Sequence, residues 1–244
     1  MNDQKVGKKP RGRAAAVGLT KARIVEAAVR EIDEKGLAAF SIRELARGLG
    51  VSPGNIYWHV GGSKEDLFAE MSASITVPVS ENLAPGMDWQ ARLRAVFLAY
   101  RDLMREHANM APLMGAQMKS NGVANLAWVE VVLGALKEAG YSGELMRDAF
   151  NALIGGLSGF VTMEYAPGPT EQGDEWERLF AERMTAIDPE RFPLTHAVLP
   201  EISNRIFVLR WQNGVQVSYT SSFELLLDLL IDGLAARAPG RKTT

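Results

Sequence analysis

Apolar residues recur three and four positions apart through most of the chain, and this pattern predicts an all-α fold. The first run opens at Thr20, a good N-cap, carries Ile24, Ala27, Ala28 and Ile32 on one side and stops at Gly36. A second starts at Ser41, where Glu44 three residues later would complete a capping box, and it turns Ile42, Leu45, Ala46 and Leu49 inward before Gly50. A third is very short, with Ser52 as N-cap and Pro53 at the first helical position, where a missing backbone donor is harmless. Ser63 caps a fourth, from Lys64 to about residue 75.

Pro78, Pro85 and Gly86 mark residues 76–88 as a connection. Beyond it the spacing predicts helices near 89–107, 108–119, 123–139, 144–165, 175–187, 194–203 and 221–237. Residues 205–219 alternate and carry Asn213-Gly214, a hairpin turn signal, so a short two-stranded excursion is expected there. The chain divides into a flexible arm (1–19), a small helical head (20–75), the connection (76–88), a larger body (89–238) and a tail (239–244).

Charge sharpens that division. The net charge of -2 conceals a head and arm (1–64) at +6 and a remainder at -8, so one end of the molecule is suited to a polyanion. A solvated basic terminus carrying Lys5, Lys8, Lys9, Arg11 and Arg13 is the bland alternative. The absence of cysteine excludes disulfides and thiolate chemistry and points to a reducing cytoplasm. The late apolar stretch 223–234 is interrupted by Asp228 and Asp232, which argues against a membrane span. No nucleophile elbow, phosphate loop or dinucleotide fingerprint occurs, and His59, His107 and His196 are far apart, so no catalytic residue, metal or cofactor is expected.

The second and third helices carry the chemistry. Two helices crossing closely need a small residue at the crossing and a turn residue tolerant of positive φ, and Ala46 with Gly50 supply both. Ile56 and Val60 face inward on the third helix, leaving Pro53, Gly54, Asn55, Tyr57 and Trp58 outward. So short a helix gains little from its own hydrogen bonds, and exposed aromatics on it suit contact rather than stability. Gly54 would let the backbone approach base edges, and Asn55 can pair with a base or a phosphate. His59, beside the apolar Ile56 and Val60, reads equally as a core residue or a phosphate contact.

Taken together, Ser41-Ile-Arg-Glu-Leu-Ala46, Gly50-Val-Ser52, Ile56-Tyr-Trp-His59-Val60 and Lys64-Glu-Asp-Leu67 resemble the N-terminal domain of the tetracycline-repressor (TetR) family. The resemblance implies a helix-turn-helix head, a fourth helix linking it to the body, and phosphate contacts from Ser41, Tyr57, His59 and Lys64. The chain departs from the family in placing three residues, Gly61, Gly62 and Ser63, between Val60 and the lysine, where two are usual; Ser63 can offer its helix amides as an N-cap. The candidate DNA-binding set is Ser41, Arg43, Ser52, Pro53, Gly54, Asn55, Tyr57, Trp58, His59 and Lys64.

In the body, Ala152, Gly155, Gly156 and Gly159 recur at helical spacing, and each glycine costs a helix about 1 kcal/mol relative to alanine. Such a stripe implies close approach by another helix. The last helix is apolar on two faces, through Phe223, Leu227, Leu230 and Leu234 with Leu225 and Leu229 beside them, which calls for two packing partners. Burial within one subunit is one explanation; the resemblance implies the other, a four-helix bundle with a second copy. Tyr100, Met104, His107, Met114, Met118, Trp128, Phe160 and Glu164 are candidates to line an effector pocket, although each alone also suits core packing. The expectation is a homodimeric, cytoplasmic repressor that binds double-stranded operator DNA and is released by a small-molecule effector. A constitutive DNA-binding regulator and a helical-bundle enzyme are the alternatives.

Overall fold

A computed structural model describes residues 18–116, 126–167 and 173–239. The arm up to residue 17, Met118 and the tail beyond residue 239 lie outside the described residues. The described chain forms α1 (Lys21–Lys35), α2 (Ile42–Gly48), α3 (Pro53–Val60), α4 (Lys64–Glu81), α5 (Trp89–Glu106) and α6 (Ala111–Ala116). These are followed by α7 (Ala127–Glu138), α8 (Gly143–Tyr165), α9 (Gly173–Thr185), α10 (Pro193–Ala197), α11 (Leu199–Ile202) and α12 (Thr220–Arg237). Among the described residues there is no strand.

The head closes on Ile24, Ile32, Ile56, Leu67 and Met71, all fully buried, so α1 and the start of α4 hold α2 and α3 between them. Thr20 caps α1 by accepting from the Arg23 amide at 3.2 Å. Gly50 turns the chain between α2 and α3 at φ +70°, and the Val51 amide donates back to the Ala46 carbonyl at 2.9 Å. The capping box expected at Ser41 does not form, because Glu44 is drawn to Arg47 at 2.6 Å and to Lys35 at 3.7 Å. Ser52 likewise makes no cap; its hydroxyl donates to Asn55 Oδ1 at 2.6 Å.

Helix α4 belongs to both parts of the molecule. Ser63 and Asp66 form a reciprocal capping box at its start, and the helix continues through Pro78 to Glu81. The expected connection at 76–88 is therefore helical in its first half: buried Val79 and Ile75 anchor that turn in the body, so packing outweighs the proline. Helices α4, α5, α7, α8 and α12 pack around Leu93, Met104, Leu136, Leu153 and Phe223, each fully buried. The helix expected at 194–203 is broken into α10 and α11, with Pro200 in the first turn of the second piece.

The hairpin expected at 205–219 is absent: the segment is a series of turns. Asn204, at φ +58°, accepts from the amides of Trp211 and Gln212, both at 3.0 Å. The Gly214 amide donates to the Glu164 carbonyl at 2.8 Å. A Cβ at Gly214 would lie 2.4 Å from Glu164 Cγ, so the glycine serves a close approach to α8 rather than a turn between strands.

Candidate nucleic-acid interface and body cavity

Helix α3 is held from beneath by Ile56 and Val60 and presents its other side to solvent. Trp58 is 81% exposed. Pro53 and Gly54 are exposed beside it, Asn55 is half-buried, and the space around Gly54 is open except for the Ser52 hydroxyl at 3.8 Å. His59 is half-buried with its ring edge-on to Trp58 at 4.8 Å, which removes it from the core. Tyr57 lies partly against the core, Ser41 is half-buried and Arg43 is exposed. The Lys64 ammonium stands 5.5 and 5.0 Å from the ring centres of Phe40 and Phe68, a cation-π seat at the joint of head and α4. Gly61 and Gly62 both have positive φ, and a Cβ at Gly61 would meet Asp66 at 3.0 Å, so the joint is pinned by the same aspartate that caps α4.

The head meets the body at a second place. Asp33 near the end of α1 accepts from Asn109 through its backbone carbonyl at 2.8 Å, and one of its carboxylate oxygens lies 2.7 Å from His107 Nδ1. His107, expected in a pocket, therefore joins the two parts. Sequence reasoning missed Asp33 and Asn109, since no local pattern links α1 to the turn after α5.

Within the body, Arg101 and Glu164 form a buried bidentate pair at 2.7 and 2.9 Å, and Arg101 also donates to Thr220 at 3.2 Å. Burial works against the Arg101 charge, but the hydrogen bonds and charge of Glu164 raise its pKa. Phe223 lies under the guanidinium, 5.2 Å from its ring centre, and Phe160 packs on Phe207 and Phe223. Glu164 and Phe160 thus belong to a closed cluster, and Met104 is fully buried. Arg101 was overlooked because an arginine in a helix reads as surface unless its partner is known.

Tyr100, Met114 and Trp128 do come together, around a cavity of about 20 Å³, room for roughly one water. Val96 and Phe97 of α5, Thr76 and Val79 of α4 and Ser158 of α8 complete its wall. The Tyr165 hydroxyl is buried without a hydrogen bond, whereas the buried hydroxyls of Tyr100 and Tyr219 face Ser158 and Arg210. Burial pushes the Tyr100 phenol up to about 12, with the Ser158 hydroxyl acting in the opposite direction.

Helices α8 and α12 share one outer slab. Ala152, Gly155 and Gly159 are exposed, as are Met163, Leu225 and Leu229, whereas a Cβ at Gly156 would meet Leu230 within the subunit at 3.3 Å. Phe223 and Leu227 are fully buried inside the subunit, which corrects their assignment to an interface: the inward face of α12 holds them, and Leu225 and Leu229 lie on the outer one. Leu230 and Leu234 are half-buried.

Residues 24–71 match the model for bacterial regulatory proteins of the tetR family, and residues 83–238 match the tetracyclin repressor-like C-terminal domain. The chain is 26% identical over 230 residues to the class A tetracycline repressor protein from transposon 1721 of Escherichia coli, covering 88% of this chain and 89% of that one. Among solved structures it is similar to Mycobacterium smegmatis BioQ, with TM-score 0.61 and 26% identity over 89% of this chain and 98% of that one. It shares the fold of Streptomyces coelicolor ActR, solved with actinorhodin, at TM-score 0.67 and 24% identity over 91% of this chain and 99% of that one.

Proposed function

The chain belongs to the TetR family of bacterial regulators, and on that premise we propose that it is a homodimeric repressor whose α3 enters the major groove of operator DNA and whose body takes a small-molecule effector that releases it. That it is a DNA-binding transcriptional regulator follows from the family. The observation that carries the finer reading is α3 itself: Ile56 and Val60 are sealed beneath it while Trp58, Gly54 and Asn55 stand outward on eight residues. Asn55 is the base reader in this reading, because its oxygen is already engaged by Ser52, which leaves its amide nitrogen as the donor for an acceptor on a base edge. Trp58, Tyr57 and Lys64 position the helix on the backbone. The exposed stripe of Ala152, Gly155 and Gly159, with Leu225 and Leu229, is the face that a second copy covers, setting the two heads on successive major grooves.

The work of such a protein is binding alone, done in the cytoplasm beside the chromosome, with no catalytic step. A second reading, constitutive DNA binding without an effector, is favoured by the small size of the cavity. The aromatic lining of that cavity, with the buried Tyr100 hydroxyl among it, favours the effector.

Selection of duplexes from a random pool with the full chain tests the DNA reading. The enriched sequence should be two-fold symmetric, Asn55→Ala should relax preference at one position per half-site by about tenfold or more, and Trp58→Ala should weaken all duplexes alike. An enriched sequence without two-fold symmetry, or an Asn55→Ala protein with unchanged preference, would overturn it.

A further inference from the structure

The cavity between α4, α5 and α8 has a chemistry that narrows what can enter it, and the argument about its occupant rests on the effector reading above. Its described walls contain no charged residue: they are aromatic at Phe97, Tyr100 and Trp128, aliphatic at Val79 and Val96, and hydroxylic at Thr76, Tyr100 and Ser158. An ion placed there would lose its hydration without gaining a counter-charge. The buried charges of the body, Arg101 and Glu164, neutralise each other at 2.7 Å, with Phe223 against the guanidinium.

The Tyr100 hydroxyl supplies the directional element. Its oxygen is buried in the cavity wall beside the Ser158 hydroxyl, its hydrogen-bonding neighbour. Because burial raises its pKa to about 12, the phenol keeps its proton at neutral pH and acts as a donor. A ketone or ether oxygen entering the cavity would offer this donor an acceptor in competition with the Ser158 hydroxyl. Trp128 is stacked on Phe150, with ring centres 6.4 Å apart and planes 26° apart, so the indole in the wall is backed by a second ring. Met114, also in the wall, is unbranched and can repack around a new shape.

We propose that the body takes an uncharged, planar aromatic molecule whose carbonyl or ether oxygen accepts a hydrogen bond from Tyr100. The space of about 20 Å³ holds one water and not a ring system, so entry requires the wall to open. The wall includes Thr76 and Val79 of α4, the helix that carries the head, so such a ligand selects a displaced α4. This places recognition and release on the same helix.

Three probes on one skeleton separate the terms: 2-acetylnaphthalene carries the acceptor, 2-ethylnaphthalene lacks it, and 2-naphthoate is charged. Titration calorimetry of the full chain should show the ketone binding about tenfold tighter than the ethyl compound and about a hundredfold tighter than the carboxylate. In Tyr100→Phe, which keeps the ring and loses only the hydroxyl, the ketone should fall to the level of the ethyl compound while the latter is unchanged. Equal binding of the carboxylate, a ketone preference that survives Tyr100→Phe, or no binding of any probe at millimolar concentration would each overturn the ligand class. Operator affinity measured with the ketone bound is a separate readout: if it is unchanged while the three-probe pattern holds, the effector reading falls and the ligand class stands.

Discussion

The head and the body hold their polar side chains by different means. In the head most partners are local: Thr20 reaches the Arg23 amide, Ser63 and Asp66 cap each other, and Ser52 meets Asn55, each pair three residues apart, while the longer pair of Lys21 with Glu70 lies at the surface. In the body they are remote. Arg101 meets Glu164 across 63 residues and Thr220 across 119, Tyr141 donates to the Leu234 carbonyl across 93, and Arg94 pairs with Asp228 across 134. Local bonds fix short helices at defined angles and present an invariant surface. Remote bonds stitch long helices together, and a change at one end is felt at the other.

The contrast can be broken most severely at the buried pair. Glu164→Leu leaves Arg101 charged and unpaired in the core, and should lower the stability of the body by about 3–5 kcal/mol in urea denaturation. Joining it with Arg101→Met should restore most of that loss. A single variant as stable as the parent would show that the pair is not holding α5 to α8. Next in size is Gly214→Ala, whose new methyl meets Glu164; a loss of about 1–3 kcal/mol is expected, with the turns at 204–219 gaining hydrogen exchange before the helices do. The smallest change is local. Ser63→Ala removes one half of the capping box, and a loss of about 1 kcal/mol should appear as faster exchange in the first turn of α4 alone. Exchange spreading to α5 would mean that the head is less self-contained than its local bonds imply.

The same contrast explains what could be read from the sequence. The caps at Thr20 and Ser63, the turn at Gly50 and the inward pair Ile56 and Val60 follow from spacing, and all are found. Ser41 and Ser52 mislead because Glu44 and Asn55 have competing partners at equal reach. In the body, periodicity locates helices but does not say which face meets which. Phe223 and Leu229 lie on one apolar helix, yet one is inside the subunit and the other 63% exposed. The glycine at 214 looks like a hairpin turn because the residue it accommodates, Glu164, is 50 positions away. Of the pocket candidates, Tyr100, Met114 and Trp128 converge, while His107, Phe160 and Glu164 are engaged elsewhere.

The contact of Asp33 with His107 and Asn109 has a kinematic consequence. A head joined to the body only through α4 could swing and twist about its stalk. Fastening α1 at a second point removes that freedom, since a rigid piece held at two points can only rotate about the line through them. Helix α4, 18 residues and about 27 Å long, is then a crank on that axle, and a push at Thr76 and Val79 becomes a turn of α3 in one plane rather than a wobble in many.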